Sequence, residues 1–290
     1  MDFFRPDSLA EALAAKAEHA DAVPIAGGTD VMVELNFDHR RPAALLDLGR
    51  IVELHEHGRQ DGKVRIGAAV PYARIIDELG RELPGLAMAA RTVGSPQIRN
   101  RGSVGGNLGA ASPAGDSHPA LLAANAEVEI ASIRGTRMVP VKDFYTGVKR
   151  NVLAPDELIT AVHIAPATGA QQFSKVGTRN AMVIAVCAFG LALHPDQKRV
   201  GTGLGSAAPT PRPATKAEEF IATELDWESP KPLADSVLRR FGALVAEAAS
   251  PIDDVRGSAA YRRHALAVLA RRTLGWAWSE HLGGGRRACA

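Results

Sequence analysis

Residues 99–116, RNRGSVGGNLGAASPAGD, hold five glycines in eighteen positions and almost no apolar bulk. Such a segment builds no core. Glycine lacks a Cβ and takes φ > 0 readily, so consecutive N–H groups can turn to one side and the backbone can lie against another group. A row of N–H groups turned that way makes a concavity for phosphate oxygens. Residues 24–30, PIAGGTD, have the same character. They end a short apolar run and precede VMVELN, a candidate helix with Thr29 or Asp30 as N-cap, whose dipole would add to the turn. Two such turns suit two linked phosphates, a pyrophosphate. Ser103, Asn107, Ser112 and Asp116 cluster with the longer stretch. Their polar groups either meet ribose or ribityl hydroxyls, or bond their own loop as Asx and ST turns.

The usual nucleotide fingerprints are missing. No G-x-G-x-x-G opens a helix, GTGLG at 201–205 has the wrong spacing, and no G-x-x-x-x-G-K-[ST] occurs. A nucleotide site in this chain is therefore of another type, and a plain pair of turns is the alternative.

Working outward, 290 residues with 46% hydrophobic and 23% charged content describe a globular chain of one large or two to three modest domains. A net charge of +2 gives no footprint for nucleic acid or a membrane surface. The arginine pairs Arg40–Arg41, Arg262–Arg263 and Arg271–Arg272 read as solvated faces, and YRRHALAVLARR as a solvated amphipathic helix or an interface. Two cysteines without C-x-x-C spacing argue for a reducing compartment and against a metal or iron–sulfur site in this chain. Cys187 reads as a small buried hydrophobe, and Cys289 lies in a Gly/Arg-rich tail. The first twenty residues carry no apolar h-region, and the longest apolar run, 181–193, is too short for a bilayer. A cytoplasmic protein without a membrane span is expected.

A helix is expected over 6–19, with Ser8 and Glu11 as a capping box. Short strands are expected at 22–30, 44–49 and 63–70, a helix from Tyr72, a short helix at 118–126, and a hairpin over 127–141 turning near Arg134–Gly135. After Gly169 three strands (171–176, 183–194, 198–207) read as an antiparallel sheet, followed by three helices, with PATGA at 166–170 as linker. His55, His57, His118 and His163 show no catalytic spacing and read as structural or surface groups.

The two glycine stretches together resemble the FAD-binding signatures of the flavin subunit of molybdenum hydroxylases, the xanthine dehydrogenase and carbon monoxide dehydrogenase type. DFYTG at 143–147, LAPDELIT at 153–160, FSKVGTRNAMVIAV at 173–186 and GSAAPTPRPATKAEEF at 205–220 match in order and spacing. The resemblance covers about residues 1–275. It implies an α+β chain: a two-subdomain FAD-binding fold of the vanillyl-alcohol oxidase-like (PCMH) type, then a small α+β domain of three-stranded antiparallel sheet plus helices. The divisions it implies are 1–57 and 58–168 for the FAD-binding subdomains, 169–277 for the last domain, and 278–290 as a flexible tail.

The resemblance also implies site residues. Pro24, Ile25, Ala26, Gly27, Gly28, Thr29, Asp30 and Val31 would wrap the pyrophosphate through backbone N–H groups. Ser103, Val104, Gly105, Gly106 and Asn107 would form a second wall, with Ser112 and Asp116 on polar groups of the cofactor. Val93 and Gly94 match a position on the adenine–ribityl side. Leu158 and Ile159 match a pair packed on ring faces, or are plain core. Lys175 matches a lysine near the flavin, or is a surface lysine at a strand end. Val183 departs from the family, which often has an acidic residue there. No catalytic acid, base or metal site is implied in this chain.

The activity implied is electron transfer. A large partner subunit with molybdopterin oxidises the substrate, and a small one with [2Fe–2S] clusters passes electrons to FAD here and on to NAD or another acceptor. The assembly implied is a dimer of heterotrimers. Two rivals stay open: a self-sufficient FAD-dependent oxidase or dehydrogenase of the same fold, and a non-redox nucleotide-binding module.

Overall fold

The computed structural model of the chain describes residues 1–283. The first sheet is parallel, with β1 (Asp2–Phe4) and β2 (Val23–Ile25) flanking β3 (Ala44–Asp47). Helix α1 (Leu9–Glu18) links β1 to β2, and α2 (Val31–Asn36) links β2 to β3. At the start of α1 the Ser8 hydroxyl accepts from the Glu11 N–H at 3.2 Å. The Glu11 carboxylate reaches the Asp7 N–H at 2.9 Å, one residue beyond the reciprocal partner of a strict capping box. Ser8→Ala is expected to cost about 1 kcal/mol, read as a lower urea midpoint, with Ser8→Thr close to wild type.

The second unit begins with β4 (His57–Gln60) and β5 (Lys63–Gly67). Five short helices follow: α3 (Tyr72–Glu78), α4 (Pro84–Arg91), α5 (Pro96–Arg99), α6 (Val104–Ala110) and α7 (Ser117–Ala123). Then come the hairpin β6 (Glu127–Ser132) and β7 (Gly135–Pro140), the small hairpin β8 (Tyr145–Gly147) and β9 (Arg150–Asn151), and β10 (Leu158–Ile164). The sheet order is β4-β5-β10-β6-β7, antiparallel throughout. Strand β10 sits at its centre and is buried along its whole length. One continuous core runs from Ala12 in α1 to Ile164 in β10.

The third unit is the antiparallel sheet β11 (Gln171–Val176), β12 (Cys187–His194) and β13 (Arg199–Gly205), with helices α8 (Thr215–Glu224), α9 (Asp235–Glu247) and α10 (Ala259–Leu282). Its core holds Phe189, Phe241 and Trp278. Helices α4 and α7 cover one face and α8 and α10 the other. That burial on both sides explains the uninterrupted apolar reading of β12. The glycines of GTGLG belong to β13. A Cβ on Gly203, or on Gly190 opposite it, would overlap the Pro119 backbone, so glycine lets α7 lie directly on the sheet.

Two expectations are corrected. Arg262 is not on a solvated face: it is 2% exposed and its guanidinium donates to the carbonyls of Val186 and Ser206, each at 2.9 Å, and pairs with Asp254 at 2.5 Å. The flexible tail does not begin at 278, because α10 continues to Leu282. Trp278 is buried there, and its indole N–H donates to the Lys231 carbonyl at 2.7 Å. Cys289 and the rest of the expected tail lie outside the described residues. Cys187 is fully buried in β12, and burial pushes its thiol up to about 12.

Candidate functional site

A cavity of about 820 Å³ opens between the first sheet and the second unit. Such a volume holds a sizeable cofactor. Its floor is β2 and the turn from it to α2: Pro24, Ala26, Gly27, Gly28, Thr29, Asp30 and Val31 all line it. Gly28 has φ +73°, the left-handed region that favours glycine. Among the described residues, the N–H groups of Gly27 to Val31 find no protein acceptor. Asp30 occupies the N-cap position of α2 but its carboxylate makes no capping bond. Five adjacent donors without partners beside a cavity call for an acceptor from outside the chain.

The two glycine stretches meet. Gly27 lies so close to the Arg101–Gly102 backbone that a Cβ would overlap the Arg101 carbonyl, and a Cβ on Gly102 would come 3.3 Å from the Thr29 hydroxyl. The second stretch nevertheless does not form a nest, which corrects the sequence-based reading. Residues 104–110 are the helix α6, capped by Ser103. The Gly105 N–H donates to the Ala68 carbonyl at 3.2 Å, the Gly106 N–H to the Ser103 hydroxyl at 3.1 Å, and the Asn107 N–H to the Ser103 carbonyl at 3.0 Å. These amides are spent inside the fold. What the glycines supply is clearance. Gly105 lets α6 lie on Ala68, whereas a Cβ at Gly106 or Gly109 would meet only the Ser103 hydroxyl at 3.3 Å or Ile159 Cδ1 at 3.9 Å. Both line the cavity, so their missing side chains leave room in it.

Ser103, Asn107, Ser112, Val93, Leu158 and Ile159 also line the cavity. Leu158 and Ile159 are neighbours on one strand yet share this wall. The β10–β6 register shifts between Ile159 and Ala161, and such a bulge re-aims side chains beside a site. The Asn107 amide is held from behind, since Ser117 Oγ donates to its Oδ1 at 2.6 Å and Tyr72 O–H donates to Ser117 at 3.2 Å. Ile25 and Val104 do not reach the cavity; Val104 is core.

Asp116, Lys175 and Gly94 stand elsewhere. Lys175 Nζ pairs with Asp116 at 2.5 Å and donates to the Thr92 carbonyl at 3.2 Å, with both charged side chains under a tenth exposed. Burial, partly offset by Lys175, raises the Asp116 carboxyl above its ordinary range. Lys175 and Gly94 line a second cavity of about 420 Å³, together with Arg91, Arg99, Arg179 and Val183. Val93 faces the first cavity while Thr92 and Gly94 face the second, so the segment 92–94 is a shared wall.

Sequence reasoning missed Lys16, His39, Arg40, Glu34 and Lys149, which also line the first cavity. Lys149 pairs with Glu34 at 2.8 Å across it, from the β8–β9 turn to α2. No local motif marks residues that only tertiary folding brings together. The histidines do find partners. His57 pairs with Glu78 at 2.5 Å, His163 with Glu129 at 2.7 Å, and His118 Nδ1 with the Tyr145 hydroxyl at 2.7 Å. None of these three lines either cavity. Burial pushes His118 down to about 3, so it stays neutral at physiological pH.

No helix of the described residues is long and apolar enough to cross a membrane. Residues 1–167 match the family described as the FAD binding domain in molybdopterin dehydrogenase, and residues 172–277 the CO dehydrogenase flavoprotein C-terminal domain. The chain is 36% identical over 210 residues to the nicotinate dehydrogenase FAD-subunit of Eubacterium barkeri, covering 69% of this chain and 71% of that one. It is 30% identical to the xanthine dehydrogenase FAD-binding subunit of Escherichia coli O157:H7, covering 94% of each. A solved structure of reconstituted CO dehydrogenase from Oligotropha carboxidovorans superposes with a TM-score of 0.87 at 27% identity, over 96% of this chain and 98% of that one. The donor set fits FAD: unpartnered amides for a diphosphate, polar side chains along one wall, and space kept clear by Gly106 and Gly109. The chain belongs to the FAD-binding medium subunits of the molybdenum hydroxylases, electron-transfer flavoproteins of the xanthine dehydrogenase and carbon monoxide dehydrogenase family.

Proposed function

We propose that this chain receives electrons from [2Fe–2S] clusters of a small partner subunit and delivers them to NAD or another acceptor, while a large molybdopterin subunit oxidises a substrate. The complex is proposed as a xanthine dehydrogenase-type, cytoplasmic dimer of heterotrimers. The divisions at 57/58 and 168/169 are part of the same proposal. The observation that carries the reading is the cavity floored by the free amides of Gly27 to Val31.

FAD, when bound, supplies a carrier that accepts electrons one at a time and gives them up as a pair. The chain's own residues have simpler tasks. Gly27 to Val31 would hold the diphosphate through N–H groups, with Thr29 adding its hydroxyl. Asn107, fixed by Ser117, and the Ser112 hydroxyl would hold sugar or ribityl oxygens. Leu158 and Ile159 would pack on ring faces and exclude water, and Val93 would lie on the adenine–ribityl side. Lys175, neutralised by Asp116, would act from the second cavity. Arg91, Arg99 and Arg179 around that cavity suit an anionic acceptor such as NAD.

The test is purification of the chain with its native partners. Flavin absorption with FAD as the released cofactor, together with cluster absorption and two further chains, is the expected result. A chain that takes up no flavin on reconstitution is a non-redox module, and one that turns over a small substrate alone is a self-sufficient oxidase or dehydrogenase. Either outcome removes the proposal.

A further inference from the structure

We propose that Lys16 holds the cofactor, its ammonium donating a hydrogen bond to the adenosine diphosphate half of FAD; the inference rests on the reading of the first cavity as the FAD site. Helix α1 buries Ala12 and Lys16, one turn apart on its inner face. A buried lysine is costly unless its charge is matched. The ammonium has three donors. Two go to the carbonyls of Ala20 and Ala22, at 2.6 and 2.7 Å, and both those residues line the cavity beside Lys16. Neither carbonyl carries charge.

Of the lysines and arginines lining this cavity, Arg40 and Lys149 lie within 4 Å of Glu34. Lys16 has no carboxylate within that range among the described residues, and burial pulls its pKa down. A cation with one donor to give, on the wall of a cavity floored by free amides, is matched by an anionic ligand rich in lone pairs. The choice of half follows from the groups beside Lys16. Asp21 and Arg40 lie near enough to act on its charge and, with His39, line the same cavity, groups suited to sugar hydroxyls and ring nitrogens.

The rival account is that Lys16 only pins the α1–β2 turn through its two carbonyl bonds. Full-length chain stripped of flavin separates the two, titrated with FAD and, separately, with ADP. Lys16→Met is expected to weaken both by the same factor, about 10- to 100-fold for one charged hydrogen bond, and to shrink the rise in Tm that FAD produces. Lys16→Arg restores part of each. Unchanged constants for both ligands, with Tm lowered equally in free and FAD-bound protein, overturn the proposal. So does a loss confined to FAD, because it puts Lys16 at the other half. If Lys16→Met does not fold, the wild-type Lys16 Nζ resonance decides: a shift on adding ADP supports the contact and no shift overturns it. A wild-type chain that takes up no FAD defeats the cavity assignment and the role of Lys16 together, a result distinct from a wild type that binds and a variant that binds equally.

Discussion

Gly27→Ala is expected to release FAD, and Gly109→Leu to release it too, with opposite consequences for the empty protein. At Gly27 the added methyl would overlap the Arg101 carbonyl, a backbone atom that cannot swing away. The two glycine stretches must separate, and overpacking of this kind costs about 1–3 kcal/mol. The flavin-free protein should lose that much in a urea titration. FAD affinity should fall about 10- to 100-fold, since the separated loop no longer presents its amides in one arc. At Gly109 the nearest atom to the new Cβ is Ile159 Cδ1 at 3.9 Å, itself on the cavity wall. The leucine therefore grows into free space, and a leucine in a helix is about 1 kcal/mol better than glycine. Its flavin-free form should be as stable as wild type or more so, while flavin fluorescence titration shows affinity lost. Wild-type FAD affinity in Gly109→Leu would mean that the cofactor sits elsewhere.

The contrast between these glycines also marks how far the sequence could be read. PIAGGTD was legible because its chemistry is local: a strand end, a left-handed glycine, and amides with nothing to bond. The second stretch carried the same composition, and composition cannot tell a loop from a helix. Ser103 caps α6 and takes up the Gly106 and Asn107 amides, so those glycines work by absence of side chain rather than by donation. Strand β10 leaves no strand signal in the sequence, although LITAVHI is the centre of the sheet. It follows a loop without a turn pair and is covered on both faces, so no alternation appears. The antiparallel order of β11, β12 and β13 was legible from three apolar runs separated by short polar breaks. Asp116 and Lys175 show the limit most clearly. The resemblance assigns each to the flavin, and no pattern in one dimension reveals that they spend their charges on one another.

That pair should carry the largest single contribution testable at the joint between the front of the chain and its last sheet. Asp116 precedes α7 and Lys175 lies on β11, so their 2.5 Å contact ties two units together out of water. Lys175→Met removes the cation and leaves a carboxylate whose Oδ1 already has no hydrogen-bond partner. Breaking a buried pair in this way costs about 3–5 kcal/mol. The cost should depend on pH. Burial already raises the Asp116 pKa above its ordinary 3.8 in the folded protein. A carboxyl raised on folding favours the native state most below its unfolded pKa, and that advantage drains away as pH climbs through the folded value. Without Lys175 the folded value rises further, so the variant should lose stability relative to wild type as pH goes from acid to neutral. Lys175→Met/Asp116→Asn removes the charge as well as its partner. It should recover most of the loss and flatten the pH profile, because replacing both members of a buried pair is far gentler than removing one. Because neither residue lines the first cavity, FAD affinity should stay unchanged in the double variant. Equal stability of single and double variants at neutral pH would show that the pair does not hold this joint, and lost FAD affinity in the double variant would return Asp116 and Lys175 to the cofactor.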